Sequence, residues 1–170
     1  MNRGDVHDCS GECHEDVDRV RQQGRAVSEL RSQLAALLEG ESDQVANAAN
    51  TAALLYHALP DVNWVGFYFL KQGELVLGPF QGQPACVRIA IGKGVCGMAA
   101  KTLQSAVVPD VHAFPGHIAC DTASRSELVV PLVENGVLVG VLDLDSPSVG
   151  RFDEADRAGC ESLAAVFLDR

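Results

Sequence analysis

The run ELVVPLVENGVLVGVLDLDS, residues 127–146, constrains this chain more than any other stretch. Asn135-Gly136 between two apolar runs predicts a β-hairpin, because its tight turn needs a left-handed backbone that Asn and Gly tolerate. Strands this apolar must be covered, and both chain ends carry helical patterns that can do so. Within 16–39 the apolar residues Val17, Val20, Val27, Leu30, Leu34 and Leu37 recur at helical spacing, and Gly40 ends the run. Ser42 and Asp43 can cap a second helix through Ala48, Ala52 and Leu55 to Leu59, where Pro60 stops it. Asp153 and Asp156 open a last helix through Leu163 and Phe167.

Between these ends the texture is that of strands. NWVGFYFL (63–70), a KQGE turn and LVLGPF predict a strand pair, and CVRIAI (86–91) predicts a third strand. Gly92 and Gly94 open a loop, VCGMAAKTL (95–103) suits a short helix, and AVVPDV is a short strand ended by Pro109. The order is two helices, about six strands with one inserted helix, then a helix. That predicts an α+β domain with a mainly antiparallel sheet and helices from both chain ends packed on it. We expect residues 1–15, polar and without period, to be a flexible N-terminal tail and residues 16–170 to be the domain.

The formal net charge of −10 argues against nucleic acid and against anionic membranes as partners. No segment reaches the roughly 18 apolar residues of a membrane span, and the N-terminus lacks the apolar core of a secretory signal. The expected location is the cytoplasm. A reducing compartment disfavours structural disulfides, so each of the six cysteines needs its own explanation.

Cys86 in GQPACV, Cys96 in GKGVCG and Cys120 in GHIACD share one context, beside glycine or proline at a loop or element end. A reactive cysteine needs access and a stabilised thiolate. Gly94-Val95-Cys96-Gly97 opens a predicted helix, whose dipole would favour a thiolate at Cys96. His117 would do the same for Cys120, and Asp121 would oppose it. The alternative is that these cysteines are small buried residues filling gaps. His112, His117 and Cys120 with a carboxylate could hold a metal, but their spacing matches no familiar zinc pattern, and no metal or other cofactor is expected. Cys160 shares a helical face with Leu163 and Phe167 and reads as core. Cys9 and Cys13 lie in the tail with His7 and His14.

Alternation along VLVGVLDLDS puts Asp143 and Asp145 on one face, with Val137, Val139 and Val141 nearer its start. Paired carboxylates repel, so one should have a raised pKa, and the pair can hold an ammonium or deliver a proton. The alternative is a solvated strand end. In NWVGFYF, Trp64, Gly66 and Tyr68 share a face suited to a pocket wall, with the glycine leaving room, while Val65, Phe67 and Phe69 face a core. An ordinary half-buried strand would read the same way.

NWVGFY, LGPFQG, PAC, GKGVCG, DVHAFPGHIACD, SELVVPL, GVLDLDS and GRFDEAD occur in this order over roughly residues 42–168. In these motifs the chain resembles the free methionine-(R)-sulfoxide reductases, a GAF-domain family. The resemblance implies a GAF-like fold with a six-stranded antiparallel sheet. It also implies thiol-dependent reduction of free L-methionine (R)-S-oxide to L-methionine, with thioredoxin as the recycling partner and a homodimer as the assembly. By the same resemblance Cys120 is the nucleophile that becomes a sulfenic acid, Cys86 condenses with it to a disulfide, and Cys96 relays or resolves that disulfide. The division of labour between Cys96 and Cys120 stays open. Glu127, Asp143 and Asp145 match an acidic pocket that protonates the sulfoxide oxygen and holds the substrate ammonium. Trp64 and Tyr68 would cradle the methyl and sulfur, and backbone N–H groups at 117–121 the carboxylate. A GAF module that binds a small molecule, or senses redox state, without catalysis is the alternative. Cys86, Cys96 and Cys120 together with Glu127, Asp143 and Asp145 discriminate, because a binding module has no need of that set.

Overall fold

The computed structural model describes residues 27–114 and 123–170. Helix α1 occupies residues 27–37 of the described chain, and α2 spans Gln44–Ala58. The strands are β1 (Trp64–Lys71), β2 (Glu74–Gln81), β3 (Arg88–Ala90), β4 (Ala106–Val108), β5 (Ser126–Glu134) and β6 (Val137–Ser146). Helix α3 (Gly94–Thr102) lies between β3 and β4, a single 3-10 turn (Val111–Ala113) follows β4, and α4 (Glu154–Leu168) closes the fold. The strands form one antiparallel sheet in the order β3-β2-β1-β6-β5-β4.

Local chemistry sets the boundaries where the sequence places them. Asp43 caps α2 by accepting from the Ala46 N–H, as the sequence predicts, and Asp153 and Asp156 form a reciprocal capping box at the start of α4. Asn135 (φ 50°) and Gly136 (φ 80°) are both left-handed, so β5 and β6 meet through the turn that Asn-Gly predicts.

The sheet separates two apolar layers. On one side Leu30, Leu34, Ala52, Leu163 and Phe167 from α1, α2 and α4, with Leu38 from the turn after α1, bury the Val65, Phe67 and Phe69 face of β1. On the other, α3 covers Trp64 and Tyr68 of β1 with Val129 and Val141. Opposite faces of one strand therefore serve different layers, the period-two pattern read in NWVGFYF.

Three expectations need correction. Leu37 is exposed at 46%, and Leu38 is the buried residue instead. The helix ends at residue 37, so the residues after it leave the projection of about 100° per residue, and Leu38 packs inward from the turn that follows. The third strand is shorter than 86–91, so Cys86 precedes it in a loop. Val139 does not share a face with Val141: β5–β6 pairing jumps from Leu132↔Gly140 to Val133↔Leu138, and this bulge turns Val139 into the layer under α4.

Candidate active site

The sheet register assembles the site before any loop contributes. Trp64 on β1 stands opposite Asp145 on β6, and Asp145 stands opposite Glu127 on β5. The next row on the same face holds Gly66, Asp143 and Val129. Three acids from two strands and an indole from a third thus meet beneath α3, where Tyr68 and Cys96 join them in one pocket.

The aromatic wall is fixed by its neighbours. The Trp64 ring stacks on Phe80 at 5.4 Å between centroids and on Tyr68 at 5.9 Å, and Trp64 Nε1 donates to the Gln83 carbonyl at 3.0 Å. Gly66 leaves room, as the sequence suggests, but the room is already filled by protein. A Cβ there would lie 2.4 Å from Phe80 Cβ and 2.5 Å from the Trp64 ring, so the missing side chain seats the indole itself.

Cys96 reaches the acids from the first turn of α3. The helix can approach because residue 97 is glycine: a Cβ there would lie 2.4 Å from the Ala90 carbonyl oxygen. The Cys96 thiol donates to Glu127 Oε1 at 3.9 Å, and donor atoms of Cys96, Glu127 and Asp143 all lie within 4.8 Å of one another. That cluster is compact enough for a metal ion, which would compete with the protons these groups share.

Burial and mutual repulsion decide the protonation. Desolvation, then the Asp143 and Asp145 charges, push the Glu127 carboxyl well above the ordinary carboxylate range. Desolvation lifts Asp143 to about 7, with hydrogen bonds from Cys96 and Glu127 holding it from going higher. The Glu127–Asp143 pair therefore holds a shared proton near neutrality. Asp143 Oδ1 is buried with no hydrogen-bond partner, an open acceptor inside the site. Burial and the same acids raise the Tyr68 hydroxyl, which stays a neutral donor.

The helix-dipole expectation for Cys96 is overturned. Burial first, then the Asp143 and Glu127 charges, push its thiol well above normal, so Cys96 is held as S–H. A helix N-terminus contributes about 0.3–1 kcal/mol, too little to offset full desolvation beside two acids.

Cys86 is disulfide-bonded, and its partner lies outside the described residues, whereas Cys96 and Cys160 are free thiols. Cys160 is core as read, its thiol pushed to about 12 by burial. Cys120, with His117, Asp121 and the backbone of 117–121, lies outside the described residues, as do Cys9, Cys13, His7, His14, Val17, Val20 and the 1–15 tail. His112 is exposed on the 3-10 turn.

Two polar side chains of the lining escaped the sequence reading. Ser124 is buried in the pocket and accepts from Asn63 Nδ2 at 3.2 Å, and Lys93 stands at the mouth. A serine in a polar loop ordinarily reads as exposed, so nothing in the sequence separated Ser124 from its neighbours. GKG at 92–94 did flag a special loop, though not its lysine.

Comparison with known proteins agrees with this geometry. Residues 25–167 match the GAF domain family. The protein YtsP of Bacillus subtilis is 61% identical over 75% of this chain and 79% of its own. Free methionine-R-sulfoxide reductase of Escherichia coli is 52% identical over 81% of this chain and 84% of its own. Among solved structures, free methionine-R-sulfoxide reductase from Neisseria meningitidis in complex with its substrate superposes with a TM-score of 0.82 at 47% identity, covering 84% of this chain and 86% of that one. The chain belongs to the GAF-domain family of free methionine-(R)-sulfoxide reductases.

Proposed function

We propose that this protein reduces free L-methionine (R)-S-oxide to L-methionine. The observation that carries the reading is the protonated Glu127–Asp143 pair buried beside the Trp64–Tyr68 wall. Cleaving an S–O bond needs a proton delivered to oxygen, and a carboxyl that stays protonated near neutrality supplies it. The relatives named above and the substrate-bound neighbour support the substrate.

In the mechanism, the Cys120 thiolate attacks the sulfoxide sulfur while Glu127, backed by Asp143, protonates the oxygen. The oxygen passes to Cys120 as a sulfenic acid, and methionine leaves. Cys86 condenses with the sulfenic acid, releasing water and forming a disulfide. The disulfide seen at Cys86 supports that role and makes Cys120 its proposed partner. Cys96, held as a thiol against Glu127, orients the acid and stands as a reserve in the relay. Asp145 pairs with the substrate ammonium, and Trp64 and Tyr68 enclose the methyl and sulfur. Thioredoxin returns the disulfide to thiols in the cytoplasm, and the working unit is a homodimer of the 16–170 domain. Among the described residues no helix is long and apolar enough to cross a membrane.

Single-turnover reduction of the two separated epimers, using reduced protein and no recycling system, tests the reading. The R epimer alone should give methionine, with two thiols lost per methionine formed, and Cys120→Ser should abolish it. If neither epimer reacts with folded, reduced protein, the enzyme reading fails and a binding-only GAF module replaces it.

A further inference from the structure

A disulfide made in each turnover must be opened by a second protein, and the surface around Cys86 has features suited to receiving one. Among the described residues, three of the eight large exposed hydrophobics, Val87, Ile91 and Met98, belong to β3, α3 and their flanks. Val87 is the most exposed of these, at 65%, and it is bonded directly to Cys86. Two of the three lysines in the chain, Lys93 and Lys101, lie in the same segment. Both are exposed, and neither makes an ion pair among the described residues. The Lys101 stem lies over Gly92, its Cδ 3.3 Å and its Nζ 4.0 Å from where a Cβ would sit. In a chain of net charge −10, this segment concentrates exposed apolar side chains and lysines.

β3 is also an edge strand. The Val87 carbonyl accepts from the Leu77 N–H, so by antiparallel alternation the backbone groups of Arg88 point away from β2. They are available to an extended segment of a partner. Val87 to Ile91 spans about 13 Å at strand rise, room for one loop of a small protein.

We propose that the β3–α3 edge, comprising Val87, Ile91, Met98, Lys93 and Lys101, is the docking surface for an acidic dithiol protein of the thioredoxin type, and that Cys86 is the sulfur it attacks. The inference rests on the reductase reading and adds the place and polarity of recycling. The partner's thiolate attacks Cys86 Sγ. The disulfide of Cys86 breaks, its former partner sulfur leaves as a thiolate and takes a proton, and a mixed disulfide forms. The second thiol of the dithiol protein then displaces Cys86, which leaves as a thiol, and the dithiol protein departs as a disulfide. Two electrons and two protons pass to the reductase.

The test uses the full chain with thioredoxin, and with a thioredoxin whose second active-site cysteine is serine. The trapped mixed disulfide should map to Cys86 by peptide mass spectrometry. V87E/K101E should raise the KM for thioredoxin about tenfold while turnover supported by dithiothreitol stays unchanged, because neither residue lines the pocket. Retained dithiothreitol turnover also shows that the variant is folded, and Val87→Ser serves as the milder variant with the same sign. A mixed disulfide on another cysteine, or an unchanged thioredoxin KM, overturns the proposal. Loss of dithiothreitol-supported turnover in the unmodified protein sinks the reductase reading itself, and this inference with it.

Discussion

The Cys96 thiol points into the Glu127 carboxyl, Sγ to Oε1 3.9 Å, with both side chains buried. A thiol in that position lends its hydrogen to an acid and does not ionise. Cys96 should therefore be labelled by iodoacetamide at pH 8 far more slowly than the same residue in the denatured chain, since alkylation follows the thiolate. Peptide mass spectrometry of partly labelled reduced protein reads this directly. Fast labelling of Cys96 would mean that the acids fail to hold it protonated. Cys96→Ser keeps a donor against Glu127 and should retain single-turnover reduction within about tenfold.

The shared proton gives the reaction its alkaline limb. Asp143, pushed up to about 7, and Glu127, pushed well above the ordinary carboxylate range, hold a proton near neutrality that unperturbed carboxyls have already lost, and the pair gives it up as pH rises further. The single-turnover rate should fall as pH rises through 7 to 9, and Glu127→Gln should cost at least about a hundredfold while removing that limb. A rate that keeps rising to pH 9 would exclude these carboxyls as the proton source.

The same shift works against stability. A carboxyl whose folded pKa is raised binds its proton more tightly in the native state than in the unfolded chain. Stability therefore declines as pH rises from about 4, the unfolded value, to about 7, and stays lower above that. Asp143→Asn removes the penalty. Thermal unfolding should show a higher Tm for the variant at pH 8, on the order of 2 kcal/mol of added stability, and little difference at pH 4. A variant less stable than the parent at pH 8 would show that Asp143 is held ionised by a cation instead.

Much of this arrangement was legible in advance because it depends on period and turn chemistry. Asn135-Gly136 fixed the β5–β6 hairpin, and the hairpin register placed Asp143 and Asp145 on the pocket face beside Glu127. The alternation of Trp64 and Tyr68 against Phe67 and Phe69 gave both sides of the sheet. What stayed hidden depends on contacts between distant segments. The protonation of Cys96 follows from Glu127, 31 residues away, and not from its own helix. The bulge at Val139 reverses a face within a run whose composition never changes. Phe80 reads as any strand aromatic until the register sets it opposite Gly66 and under the indole.

That stacking makes Gly66 a strict position. An alanine Cβ would overlap both Phe80 Cβ and the Trp64 ring, and neither can retreat: Phe80 is paired through the sheet, and the indole is tied to Gln83. Gly66→Ala should lower stability by about 1–3 kcal/mol through overpacking and tilt the indole away from the pocket. Steady-state kinetics should show a larger rise in KM than fall in kcat, and the near-UV circular dichroism of the single tryptophan should change. An unchanged KM would place Trp64 outside the substrate's contact surface.

Asp145 tests why a free amino acid would be preferred. It is half-buried at the pocket, opposite Trp64 on one side and Glu127 on the other, on the same strand face as the proton-sharing Asp143. A carboxylate there suits an ammonium, and partial burial makes such a pair stronger than a surface ion pair. Asp145→Asn should raise the KM for free methionine (R)-sulfoxide by about tenfold to a hundredfold, with a smaller change in kcat. N-acetylmethionine sulfoxide carries no ammonium and should already be a poor substrate for the parent protein. The decisive comparison is the ratio of kcat/KM for the free over the acetylated substrate, because a general loss of pocket shape would depress both equally. If Asp145 holds the ammonium, that ratio collapses in the variant; if it is preserved, the ammonium is held elsewhere in the site.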